Sequence, residues 1–270
     1  MEEEYQEKMG FFSKLINSIT NPKYYKDFLK ESTGRAVVYL LLLCLIFGGI
    51  SAIRIAYDLN KGVITVVNEF NKNVPDFKLE NGELNVEGQM PIKFNDEQGY
   101  IFIVDTSGNT DETILDKYNS GTFISKTKMI QKKSPMQTTE TNFISLKPVT
   151  LTKIDAERWI GIAKYIGVGM VLIFYPIFFF GFKFIAAFIV SLIGLIINAF
   201  CKAKITFGEI YKLSIYALTF SIILKAFFIV IGIQVPQFWI LYYGIPLIYL
   251  GLGLNLISKD QNQDLEKDIY

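Results

Sequence analysis

Long apolar runs and one polar block divide the chain, and their lengths predict most of its architecture. Residues 36–53 are eighteen uncharged positions in a row, extended by Arg54 and Tyr57 to a first segment over 36–57. At ~1.5 Å per residue the run nearly crosses a hydrocarbon core of ~30 Å, and a turn at either end completes the crossing. Four more apolar runs follow, over 159–180, 184–201, 213–233 and 238–257. Gly181 and Lys183 read as a tight turn between the second and third of the five, shortly after Pro176. Upstream, Phe12, Leu15, Ile16 and Ile19 share one helical face, Pro22 interrupts it, and residues 23–31 suit a second short helix. Amphipathic pieces just before a span commonly lie in the headgroup plane. Residues 1–35, with their acidic start over 1–7, are therefore expected to be cytoplasmic and interfacial. The alternative is packing on another cytoplasmic segment.

The polar block, 58–157, changes its period. Residues 61–72 keep helical spacing through Val63, Val66, Val67 and Phe70, as an extension of the first span. Residues 77–80 and 83–86 then alternate around Asn81-Gly82, a pair suited to the type I′ turn of a hairpin. Residues 100–104 read as a buried strand, 105–111 as a turn and 114–118 as a short helix. Residues 122–130 and 142–146 offer further strands. The result is a small α+β domain, near the lower end of independently stable sizes.

Charge turns these runs into a class. Residues 159–258 hold six lysines and one acid, Glu209. A soluble fold with so few charges over that length would have nothing to face water. The fold class is a polytopic α-helical membrane protein of about five spans, with a small α+β extracytoplasmic domain inserted after the first. Lys23, Lys26, Lys30 and Arg35 precede the first span, which by the positive-inside rule puts the N-terminus in the cytoplasm. The block 58–157 has eleven lysines and fifteen acids, a net of −4. Five spans carry the polar tail, 259–270, to the outer side. They also put Lys202, Lys204 and Lys212 there, against the same rule; a re-entrant or half-spanning second or third segment would reverse this.

Several chemistries drop out. The chain has no histidine, so a Ser-His-Asp triad and His-ligated zinc are excluded. Cys44 and Cys201 lie in or beside apolar segments, which leaves the polar block without a disulfide framework. A net charge of +1 with no basic stripe argues against nucleic acid as a partner. GxxxxGK[ST] is missing. No cofactor, no metal and no enzymatic activity are expected.

Four stretches occur in a familiar order. They are Phe12…Ser18-Ile19…Asn21-Pro22-Lys23; Pro75-Asp76-Phe77…Asn81-Gly82-Glu83-Leu84; Gly99-Tyr100-Ile101-Phe102-Ile103-Val104-Asp105-Thr106-Ser107-Gly108; and the membrane run Lys183-Phe184…Ser191-Leu192-Ile193-Gly194-Leu195 with Ile210-Tyr211-Lys212-Leu213-Ser214-Ile215-Tyr216-Ala217-Leu218-Thr219. Together they resemble domain-of-unknown-function family 1189, multi-span membrane proteins mostly from Gram-positive bacteria. The resemblance covers nearly the whole chain. One member of that family is named for maltodextrin utilisation from its operon, which suggests context and not activity. The membrane half is also distantly similar to the Yip family, whose members organise membranes and bind partners. The resemblance supplies no catalytic residues.

The candidate intramembrane polar residues are Lys225, Lys183 and Glu209. Lys225 lies near the middle of its apolar run, where an ammonium costs about 2.5–3.5 kcal/mol on insertion scales, so it should face protein or water unless it snorkels to the interface. Glu209, sixteen residues earlier, is ~24 Å away on one helix and cannot pair with it. Thr206 and Glu209 fit a capping box, with a cation or proton site as the rival reading. Asp105, Ser107, Asn109, Asp111 and Asp116 match calcium-loop positions 1, 3, 5, 7 and 12. Position 6 is Thr110 where glycine is needed, so an ordinary polar turn is favoured. The aromatic stretch 174–182 reads as lipid-facing packing, and Gly251 and Gly253 as close helix contact.

These features favour a non-enzymatic accessory or scaffold protein that presents its outer domain to a partner or cell-envelope ligand. The expected partners are the lipid bilayer and a membrane protein or second copy. The rival is a transport or flippase-like component, sugar-related in context, that uses the Lys225 region. A membrane enzyme is weakest, because no nucleophile–base pair lies in the spans.

Overall fold

The structure, a computed structural model, describes residues 9–95, 100–134 and 136–267. The acidic start, 1–7, and the last three residues of the tail lie outside the described residues. The chain forms two compact units, one of residues up to 59 and from 167 onward, the other of residues 60–166.

The first unit is helical. In chain order the helices are α1 (Phe11–Thr20), α2 (Tyr25–Lys30), α3 (Thr33–Asn73), α4 (Lys153–Cys201), α5 (Phe207–Ala217), α6 (Thr219–Ile231) and α7 (Phe238–Lys267). Among the described residues four helices are long and apolar enough to cross a membrane: α3, α4, α5–α6 taken together over Phe207–Ile231, and α7. The apolar runs expected as separate segments, 159–180 and 184–201, are one helix. The turn anticipated at Gly181 and Lys183 does not form, and α4 runs through both and through Pro176 for 49 residues. Glycine costs a helix only about 1 kcal/mol. In apolar surroundings a continuous helix satisfies more backbone groups than an open turn does.

Helix contacts fix the heights. A Cβ on Gly167 would meet Leu59 at 3.5 Å, and one on Gly48 would meet the Phe179 ring at 3.0 Å. α3 and α4 therefore run antiparallel along this stretch, and one turn past Phe179 brings Lys183 level with Cys44, midway along the apolar run 36–53. Lys183 is within a helix and not at a turn.

The helical unit also returns the chain to the end where it began. Lys26 pairs with Asp260, and the Lys204 amide donates to Gln261 Oε1 at 2.8 Å. Lys212 Nζ donates to the carbonyls of Leu29 and Glu31 at 2.5 and 2.6 Å. The segment before α3, the α4–α5 connection and the C-terminal part of α7 share one end of the helical unit. The tail is thus not separated from residues 22–31, as five spans would require.

The segment before α3 is built into the core. Tyr25 and Phe28 are fully buried, and Phe28 stacks on Tyr216 of α5 with ring centroids 4.1 Å apart. Gly253 of α7 makes room for Tyr25, whose ring a Cβ there would approach to 2.7 Å. α1 turns Lys14 and Ser18 inward and leaves Phe12 and Ile16 exposed, at 72% and 55%. Phe11 and Leu15 pack against the core beside them, so the helix meets the protein with a mixed face.

The second unit contains two sheets. β1 (Phe77–Glu80) and β2 (Glu83–Val86) form the expected hairpin with Glu80 opposite Glu83. Asn81 and Gly82 take φ of 55° and 80°, as a type I′ turn requires. A Cβ on Gly82 would also lie 2.8 Å from the Ile144 backbone. β8 (Leu151–Thr152) adds to β1. The larger sheet has the order β3 (Ile92–Asn95), β4 (Ile101–Asp105), β5 (Gly121–Ser125), β6 (Lys128–Ser134), β7 (Gln137–Asn142). Only the β4–β5 pair is parallel, and its crossover carries the short 3-10 helix Glu112–Lys117. Ile101, Ile103, Leu115, Phe123 and Ile130 form the core beneath this sheet.

Two strand expectations need correcting. Residues 122–130 divide into β5 and β6, because Ser125 Oγ accepts from the amides of Thr127 and Lys128 and stabilises a turn. Residues 142–146 are mainly the 3-10 helix Phe143–Leu146. Phe143 is buried there, its amide donates to Thr127 O at 2.8 Å, and Ser145 Oγ donates to Asn142 O at 2.6 Å.

Candidate functional site

α4, α6 and α7 bring together two of the three intramembrane candidates. Phe179 and Lys183 are four residues apart on α4 and share a face, so Lys183 Nζ lies over the Phe179 ring, 4.5 Å from its centroid. The same ammonium lies 4.2 Å from the ring centroid of Tyr242 on α7. Lys225 of α6 approaches that ring as well, at 6.0 Å. Lys183, Lys225 and Tyr242 border a cleft of about 410 Å³ whose other lining residues are apolar or aromatic, among them Trp239 and Tyr243.

The surroundings of Lys183 are unusual for a lysine. It is only 5% exposed, and neither it nor Lys225 has an ion pair or hydrogen bond among the described residues. Cation–π contacts are worth about 0.5–2 kcal/mol each and offset part of the burial cost. They leave three N–H donors without an oxygen acceptor. The Tyr242 hydroxyl beside them is also buried without a hydrogen-bond partner. Although Lys183 lies inside α4, its Nζ meets the first turns of α7, where Tyr242 stands.

Glu209 stands apart. Its carboxylate accepts from the Thr206 amide at 2.7 Å and from the Thr206 hydroxyl at 2.9 Å, and its own amide donates to Thr206 Oγ1. This is the capping box that starts α5.

The acidic loop of the sheet unit is occupied by its own turn. Asp105 Oδ1 accepts from the amide and hydroxyl of Ser107 at 2.8 and 2.5 Å, and Asn109 donates its amide to Ser107 Oγ. Burial pushes the Asp105 carboxyl up, but the bonds from Ser107 and Thr110 outweigh it and hold the group below its ordinary range. Asp111 accepts from Thr113, which lowers it too, and so caps the helix Glu112–Lys117 in which Asp116 is exposed. Among the described residues no three Cys, Asp or Glu side chains converge to hold a metal ion.

A second polar cluster escaped the sequence reading. Lys14 Nζ pairs with Glu31 Oε2 at 2.7 Å, both side chains nearly buried. The Tyr216 hydroxyl donates to the same oxygen at 2.7 Å. Lys212 caps the carbonyls of residues 29 and 31 beside it. Lys212 and Tyr216 lie more than 180 residues from their partners in sequence, so no local pattern signals the cluster. Tyr242 was missed for a related reason, since a tyrosine in an apolar run reads as an interface anchor.

No curated protein and no solved structure matches the chain. Residues 12–254 match the model of a protein family of unknown function, DUF1189, and the chain belongs to that family.

Proposed function

We propose that the protein is a non-enzymatic integral membrane accessory protein, with its N-terminus in the cytoplasm and residues 58–157 presented outside to a membrane partner or cell-envelope ligand. One observation carries this reading: the sheet unit closes its own core yet leaves β7 as a polar, exposed edge strand. Exposed edges are where sheets accept partners. The orientation is supported by the shared end of the helical unit, which gathers Lys23, Lys26, Lys202, Lys204 and Lys212 where the positive-inside rule wants them. A cysteine at Ser120, in a variant lacking Cys44 and Cys201, should react with a membrane-impermeant reagent in intact cells. A photo-crosslinking residue at Thr139 of β7 should then give one discrete adduct. Labelling of Ser120→Cys only after lysis, or no adduct from Thr139, would contradict the proposal.

The convergence of Lys183 and Lys225 favours a second reading, a transport or flippase-like component. Its test is movement of a fluorescent phospholipid between leaflets of proteoliposomes above the rate in protein-free vesicles.

A further inference from the structure

We propose that the cleft between α4, α6 and α7 binds the phosphate group of a membrane lipid, held between the Lys183 and Lys225 ammoniums. The cleft is the one on which the flippase-like reading rests. A lipid can bind there without being moved, so a null translocation assay leaves this proposal standing.

Three observations converge. The first is charge. Two cations face one cleft that no carboxylate lines, and one of them is 95% buried by its 5% exposure. Like charges in a low-dielectric site raise one another's cost, and an anion between them removes that cost. The second is unused hydrogen-bonding capacity. Lys183 has no oxygen acceptor among the described residues, and the Tyr242 hydroxyl is buried without a partner. A phosphate offers several acceptor oxygens, and lysine serves it well as a point charge. The third is access. Phe182 and Trp239 at the cleft are 68% and 65% exposed, on helices long and apolar enough to sit in a bilayer. An occupant that enters past them comes from the lipid phase, where phosphate esters are the common anions. At about 410 Å³ the space exceeds a bare phosphate and falls among small-molecule sites of roughly 300–1,000 Å³. It suits a phosphate with part of its glycerol or headgroup.

The full-length protein in dodecyl maltoside provides the test, through its melting midpoint as a function of added phosphatidylglycerol, digalactosyldiacylglycerol or inorganic phosphate. Phosphatidylglycerol should raise the midpoint saturably, and the phosphate-free glycolipid should not. Lys183→Met and Lys225→Met should each weaken the apparent affinity by about tenfold or more, while Lys183→Arg should retain much of it. Lys225 is half-buried, so its variant reports even where Lys183→Met folds poorly. Lys164→Met, outside the cleft, should bind like the parent chain. Affinity equal to the parent chain's in both Met variants, or equal protection by the glycolipid, would overturn the proposal. Protection by inorganic phosphate with none from phosphatidylglycerol would overturn the lipid assignment.

Discussion

The helical unit buries lysines in two places and treats them in opposite ways. Beside α2, Lys14 is neutralised by Glu31, Tyr216 donates to the same carboxylate, and Lys212 gives its protons to two carbonyls. Both lysines there have oxygen partners from the chain itself. In the α4–α6–α7 cleft, Lys183 and Lys225 meet aromatic faces and, among the described residues, no oxygen partner. The first arrangement is complete and fastens the N-terminal helices to α5. The second lacks a counter-charge. A buried charge balanced within the fold serves the fold, whereas one left unbalanced is held at a cost and points to a ligand.

The comparison predicts opposite signs for substitutions. Glu31→Ala should have the largest effect. It strands Lys14 and removes an acceptor from Tyr216, and breaking a buried pair this way costs about 3–5 kcal/mol. The melting midpoint in detergent should fall by on the order of 10 °C. Lys212→Met comes next. It removes two charge-assisted bonds and leaves the carbonyls of residues 29 and 31 short of a donor, for a loss of about 1–3 kcal/mol. If either variant melts like the parent chain, the closed network is not fastening the N-terminal helices.

Lys183→Met should go the other way without added lipid. Removing an unpartnered ammonium relieves a cost that the two rings only partly offset, for a gain on the order of 1 kcal/mol. A clear fall in midpoint would show that Lys183 is balanced within the protein and would erase the contrast between the two sites.

The sheet unit gives the smallest effect, and its carboxylates accept bonds from neighbouring donors, although Asp105 Oδ2 is buried without one. Asp105, Asp111 and Asp155 are held below the ordinary carboxyl range, Asp105 by bonds that outweigh its burial and the other two chiefly by bonds from Thr113 and Thr152. Their contribution is therefore present above the ordinary carboxylate pKa and lost as pH falls through the lowered values. Backbone amide signals of β4 and β5 should weaken modestly on acidification below about pH 4. A gain in order on acidification would have the wrong sign.

The sequence carried local features well and distant ones poorly. Apolar length showed the helices, Asn81-Gly82 the hairpin and Thr206-x-x-Glu209 the cap, because each signal lies within a few residues. The turn expected at Gly181 and Lys183 failed because a glycine and a lysine are weak breaks against the backbone's need for hydrogen bonds in apolar surroundings. That reading grouped Lys183 with Lys225 as intramembrane candidates but, by placing Lys183 in a turn, did not show that the two meet. α1 misled in a similar way. Its apolar face was visible, but only tertiary contact shows that Lys14 and Ser18 face the protein while Phe12 and Ile16 face away. Lys225 was noticed because it is isolated in its run, whereas Tyr242 resembles its many aromatic neighbours until α4 and α6 are placed against it.

The central claim is that Lys183 and Lys225 hold a lipid phosphate while Lys14 and Lys212 are satisfied by the chain. Nitrogen–phosphorus dipolar recoupling by solid-state NMR tests it most directly, with ¹⁵Nζ-lysine-labelled full-length protein in phosphatidylglycerol bilayers. The lysine signals lost in Lys183→Met and in Lys225→Met should be strongly dephased by ³¹P, and those lost in Lys14→Met and Lys212→Met should not. Undephased Lys183 and Lys225 signals, or equal dephasing of all four, would contradict the account.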